Sequence, residues 1–222
     1  MNEVLKAKDY RRIFLLYGIV YATIPIIITE ITWDFLANLI GLNEGLLREL
    51  IGSFLRAALI EESFKFYGFM KANNEYHFSN EKEYMLGAGM IGLAYEIIEK
   101  VATGNVIAII LGIIFPMHII WQMNQGRHFY KYKKAKEEND NKKEKKEFFL
   151  ATFSIFLIHG FWDALISLVE YFASSQNANA DVFGGILFCI TILFGITYII
   201  VSIVKIRKVL KNDKNLANEI DQ

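Results

Sequence analysis

At 222 residues, 54% hydrophobic and 14% aromatic with a positive mean hydropathy, the chain is too apolar, and its charges too segregated, for a water-soluble domain. Its 24 basic residues balance 24 acidic ones, so no net field draws it to nucleic acid and no long single-sign tail suggests such a partner. Cys189 is the sole cysteine, which excludes an intrachain disulfide.

These features describe an all-α polytopic membrane protein, a single integral-membrane domain over residues 1–222 with no soluble domain and no internal repeat. Segments near the roughly 20 residues that cross a bilayer recur at 13–29, 46–70, 84–103, 106–125, 148–172 and 182–204. The first follows basic residues as a signal peptide would, but no small-residue cleavage site succeeds it and it runs through Pro25, so it is expected to be retained as a span. Residues 33–42 read as a short amphipathic segment in the interface, with Trp33 as an aromatic anchor. In the third span Gly87, Gly89 and Gly92 are spaced for close helix approach. Residues 126–147 are expected to form a charged cytoplasmic loop, either a solvated helix extension or a mobile connection.

Basic residues set the orientation. Lys6, Lys8, Arg11 and Arg12 precede the first span, Lys71 and Lys82 separate the second and third, Arg127 and eight lysines fill 126–147, and five more basic residues follow the last span. With alternating loops all of these fall on one side, whereas 30–45, 103–105 and 173–181 contain no Lys or Arg. Both termini are therefore expected in the cytoplasm, with the protein a multi-pass resident of the plasma membrane of a bacterium-like cell.

Inside these apolar segments lie residues that a bilayer disfavours. An ionisable side chain at mid-membrane costs from about 2.5 to more than 10 kcal/mol, so such groups face a protein interior or a wet cavity and mark function. Glu61 and Lys65 are four residues apart and Glu62 and Lys65 three, so on a helix both carboxylates reach one ammonium. Counting about 1.5 Å per residue from each cytoplasmic end places Glu61, Glu62, Glu96, His118 and His159 at a common level, roughly 12–18 Å in. His159 and Asp163 share a helix face, as do His118 and Gln122. Glu96 is four from Lys100 and takes a supporting position, while a local Glu99–Lys100 pair reads as simple neutralisation.

Carboxylates with imidazoles, and no serine or cysteine in a nucleophile's setting, suit activation of water. Glu61 or Glu62 would act as general base, and His118 and His159 would donate to an oxyanion or hold a metal that polarises a carbonyl. Hydrolysis of a peptide bond inside the membrane fits both the groups and their depth, provided the substrate helix unwinds to expose the bond. Two other classes also use such a set: a proton- or cation-coupled transporter, and a non-catalytic immunity or scaffold protein.

The motifs Glu61-Glu62-Ser63-Phe64-Lys65, Gly92-Leu93-Ala94-Tyr95-Glu96, Pro116-Met117-His118 and His159-Gly160-Phe161-Trp162-Asp163 resemble those of the PrsW intramembrane proteases, which are similar in turn to the CAAX prenyl-protein endopeptidases and the Abi or bacteriocin-immunity proteins. The resemblance implies that Glu61, Glu62, His118 and His159 are catalytic, with Lys65, Glu96 and Asp163 in support. It further implies a membrane-anchored substrate of the single-span kind, such as an anti-sigma factor cut in regulated intramembrane proteolysis. Lys65 favours the PrsW branch over the CAAX one, whereas Gln122 stands where a small hydroxylated residue is expected. No HExxH spacing is present, so a metal such as zinc on Glu62, His118 and His159 and a metal-free glutamate mechanism both stay open. Glycine-rich faces serve intrachain and interchain packing alike, and oligomeric state is not specified.

Overall fold

The protein is described by a computed structural model over residues 4–76, 78–103, 114–174 and 178–220, and these residues contain helices and no strand. Helix α1 (Val4–Leu39) runs unbroken through Pro25. The separate interfacial segment expected at 33–42 is therefore the end of α1, because nothing between Thr29 and Trp33 terminates a helix. What stops it is Gly41, at φ 75°, where the Gly41 amide bonds back to Asn38 (3.1 Å) and the Leu42 amide to Ala37 (2.8 Å). That paired closure needs a left-handed residue, and glycine adopts the conformation without a Cβ clash. Trp33 is not an exposed anchor either. It is 8% exposed and lies over Gly52, where an added Cβ would come 3.1 Å from its ring.

The second expected span is built from three pieces in series: α2 (Leu46–Gly52), a π-helical turn (Ser53–Glu61) and α3 (Glu62–Tyr76). Then come α4 (Glu81–Thr103), α5 (Met117–Glu137), α6 (Asn141–Ala151), α7 (Phe153–Ala173) and α8 (Ala178–Ile220). The connection at 103–105 and the span at 106–125 lie in part outside the described residues, as does the connection at 173–181.

Of the two forms expected for residues 126–147, the structure shows the helical one. The second half of α5 and the start of α6 form a helical hairpin closed by Glu138–Asp140, with Asn139 at φ 56° and the Asp140 carboxylate accepting from the Lys143 amide (3.0 Å) as an N-cap. The charges sit outside, while Phe129, Ala135 and Glu147 are buried and His128 bonds Glu147 (2.6 Å). Alternating Lys and Glu favour helix as readily as coil, and the buried stripe decides between them.

Helices α4 and α5 pack antiparallel at contact distances set by glycine. A Cβ on Gly92 would lie 2.4 Å from the His118 carbonyl oxygen, and one on Gly126 would lie 2.3 Å from that of Tyr84. Phe14, Phe69, Tyr84 and Phe129, from α1, α3, α4 and α5, fill the end of the bundle beside the hairpin. Three stretches of described helix are long and apolar enough to cross a membrane: Arg12–Thr29, Asn141–Ala173 and Ala180–Lys211. Only 17% of the last is buried against the protein. This is a helical membrane protein whose more polar helices, α3, α4 and α5, are packed among its most apolar ones, α1, α7 and α8.

Candidate active site

The π-helical turn ends at Glu61 and α3 starts at Glu62, so the change of helical pitch falls on the carboxylate pair itself. Wide π turns concentrate at functional sites because they re-aim side chains without ending a helix. Gly160 of α7 lets the turn approach closely, since a Cβ there would meet the Phe54 ring at 2.4 Å. This contact brings His159 over the carboxylates.

Lys65 sits fully buried at the centre. Its Nζ donates to Glu62 Oε1 (2.6 Å) and to His118 Nδ1 (3.0 Å), lies 3.6 Å from Glu61 Oε2, and stands 3.8 Å from the Tyr95 ring centroid. His118 accepts from Lys65 at Nδ1, so its proton is on Nε2, which donates to Glu99 Oε2 (3.0 Å). His159 differs: Nδ1 donates to Glu62 Oε1 (2.8 Å) and Nε2 stands 3.1 Å from Asp163 Oδ2 as an ion pair, so with a carboxylate at each nitrogen this ring carries protons on both. Gln122 completes Glu62 by donating to Oε2 (2.8 Å).

All the residues singled out in the sequence meet in one cluster, though in unequal positions. Glu62 is saturated by Lys65, His159 and Gln122. Glu61 Oε2 is buried and receives no hydrogen bond from the described residues; it stands 3.6 Å from Lys65 Nζ and 3.9 Å from His159 Nε2. Glu96 pairs only distantly with Lys100 (3.9 Å) and instead accepts from the His118 backbone amide (3.2 Å). That amide belongs to the first turn of α5, where Pro116 is the N-cap and amides lack intrahelical partners.

The sequence reading took Glu99 only as a neutralising partner of Lys100 and passed over Trp121. Glu99 does pair with Lys100 (2.9 Å), which satisfied it locally and hid its second partner, His118, on another helix. The ring centroid of Trp121 is 4.6 Å from that of His159 and 5.2 Å from that of His118. It follows three residues after His118, and that spacing was the available signal.

A cavity of about 410 Å³ begins at His118, Trp121 and His159 and extends past Trp162, Asp163 and Ile166 to Glu170, with Phe188 and Thr191 of α8 opposite. It runs toward the ends of α4 and α7, away from the α5–α6 hairpin. The aromatic cluster of Phe14, Phe69, Tyr84 and Phe129 fills the hairpin end. A smaller cavity of about 170 Å³ touches Glu62 from the hairpin side, beside Gln125 and Thr152.

The residues fit a metal by composition. Glu61, His118 and His159 bring one ligand atom each within 4.8 Å of one another, and Glu61 Oε2 has no hydrogen bond to lose. Two imidazoles and one carboxylate, with a coordination position left open, is a ligand set that catalytic zinc sites use. The trio expected from sequence had Glu62 in place of Glu61, and Glu62 is unsuited because both its oxygens are taken. Lys65 already supplies a cation here, so His118 offers a lone pair only when Lys65 releases Nδ1 or the Nε2 proton departs, and His159 only when it loses one of its two ring protons.

Residues 10–200 match the family described as PrsW family intramembrane metalloprotease. No curated protein and no solved structure matches the chain.

Proposed function

The chain belongs to the PrsW family of intramembrane metalloproteases and is a protease; from that premise we propose that Glu61 is its general base and Glu62 the anchor that holds the rest of the site. The observation that carries this is the contrast between their oxygens: Glu61 Oε2 is buried and accepts no hydrogen bond from the described residues, whereas both Glu62 oxygens are occupied. A base must have a lone pair facing the proton it takes.

The substrate is a membrane-anchored protein, of single-span type, with an anti-sigma factor as one candidate. A stretch of it unwinds into the 410 Å³ cavity, whose apolar walls suit a membrane segment. Glu61, which does not line the cavity itself but stands 3.9 Å from Nε2 of His159, which does, removes a proton from a water between them as the water oxygen bonds to the scissile carbonyl carbon. His159, protonated at both nitrogens and steadied by Glu62 and Asp163, passes a proton to the departing amine as the C–N bond breaks. Glu61 then passes its proton through solvent to His159, which restores both groups. A divalent ion held by Glu61, His118 and His159 would occupy the Glu61 lone pair and a His159 nitrogen, and would supply in their stead Lewis-acid polarisation of the carbonyl and a more acidic bound water.

The same reading places six crossings at 13–29, 46–70, 84–103, 106–125, 148–172 and 182–204, with both termini and the α5–α6 hairpin in the cytoplasm and the protein in the plasma membrane. Co-expression with single-span reporter proteins tests the chemistry. Wild type should yield a cleaved reporter in membranes, and Glu61→Gln and His159→Ala should leave it intact. Cleavage by Glu61→Gln at the wild-type rate would remove Glu61 from the role of base.

A further inference from the structure

Peptide hydrolysis places negative charge on the carbonyl oxygen, and a donor must meet it there. The imidazoles were the expected donors, yet His118 donates to Glu99 and His159 Nδ1 to Glu62, and the His159 Nε2 proton, held 3.1 Å from Asp163, is the one the leaving amine takes. Lys65 is bonded to Glu62 and His118 and does not line the larger cavity. The proposed chemistry therefore needs a donor from elsewhere.

Trp121 is 1% exposed and lines the larger cavity beside both imidazoles. Its Nε1–H is buried and bonds no described residue. Indole nitrogen is a donor only, and buried donors are almost always paired, so an unpaired one beside a cavity marks a place for an acceptor from outside the protein. Five other buried side-chain atoms lack partners among the described residues. Four are oxygens of Glu61, Asn73, Gln122 and Gln125, offered as acceptors, and the fifth, the Tyr95 hydroxyl, does not line this cavity.

We propose that the Trp121 indole N–H donates to the carbonyl oxygen of the scissile peptide bond and holds it as it becomes an oxyanion, which makes Trp121 a catalytic residue. This rests on the cavity's being where the peptide is cut. As the water oxygen bonds to the carbonyl carbon, the C=O π electrons move onto the oxygen facing Nε1. They return when the C–N bond breaks, and the Trp121 proton stays on nitrogen throughout.

Trp121→Phe keeps an aromatic ring and deletes the donor. Reporter cleavage should fall by about a hundredfold or more, as loss of one oxyanion donor does in other hydrolases. The fall should be in kcat, with KM little changed. Thermal unfolding in micelles should stay put or rise, since the lost donor had no partner in the protein. A phosphinic peptide supplies a second readout, because its anionic oxygens mimic the tetrahedral intermediate. Added to the wild-type protein, it should shift the indole N–H resonance of Trp121, assigned among three tryptophans by Trp33→Phe and Trp162→Phe. Wild-type kcat in Trp121→Phe overturns the proposal and leaves Glu61 as base untouched. An unmoved indole resonance with the phosphinic peptide bound overturns it even if the variant fails to fold. A shifted resonance together with an active Glu61→Gln would keep the Trp121 contact and discard the mechanism above.

Discussion

Glu62 Oε1 accepts from Lys65 and His159, and Oε2 from Gln122, so its charge is spent inside the protein; Glu61, one residue earlier, keeps an oxygen with no hydrogen bond from the described residues. Removing one member of a buried ion pair leaves the other uncompensated and costs about 3–5 kcal/mol. Glu62→Gln should therefore lower unfolding free energy in micelles by about 3 kcal/mol. Glu61→Gln should change it by less than about 1 kcal/mol while abolishing cleavage, since Glu61 makes no short bond to lose. Equal losses of stability in the two variants would contradict the division of roles. Part of this was legible in the sequence: spacing alone put both carboxylates within reach of Lys65, and His159 beside Asp163. Which carboxylate keeps a free oxygen was not, because that depends on Gln122 and His159, which lie 60 and 97 residues further along the chain.

Among elements, the antiparallel crossing of α4 on α5 fixes where His118 sits. Gly92 meets backbone rather than a flexible side chain: a methyl carbon added to it would stand 2.4 Å from the His118 carbonyl oxygen and 2.8 Å from the carbonyl carbon. Such a group must push α5 outward, since main-chain atoms cannot rotate aside. Gly92→Ala should thus displace the imidazole by about an ångström and cut cleavage on the order of a hundredfold, the usual penalty for misplacing a reacting group by that much. Reporter cleavage set against membrane protein level measures it, and full activity would show that the crossing has slack. The glycine spacing announced this contact, and apolar length announced most helices. Two features left no trace in periodicity. The π turn at Ser53–Glu61 is apolar on the same positions an α-helix would use, and it packs closely on α7 at Gly160, a long-range contact that local periodicity does not record. The continuity of α1 past Thr29 likewise depends on Trp33 finding cover over Gly52.

At the scale of the molecule, the helices that carry the charge cluster are not those that hydropathy picks out. Windows that pass as spans come from α1, from α6 with α7, and from α8, while α3, α4 and α5 hold Lys65, Glu96 and Gln122 and rely on neighbours for their apolar surroundings. Hydropathy measures contact with lipid, and a helix enclosed by other helices need not satisfy it. The six proposed crossings thus rest on loop charge, and loop charge makes a definite prediction. In a Cys189→Ser background, single cysteines at the exposed positions Asn43, Asn141 and Ser174 report on three connections. A membrane-impermeant maleimide should label Asn43→Cys and Ser174→Cys in intact cells, and Asn141→Cys only after the membrane is opened. The larger cavity, which runs away from the α5–α6 hairpin, would then face the outside, and its substrates would be cut toward their external ends. Labelling of Asn141→Cys in intact cells would invert the protein, and opposite behaviour at Asn43 and Ser174 would require an odd number of crossings between them.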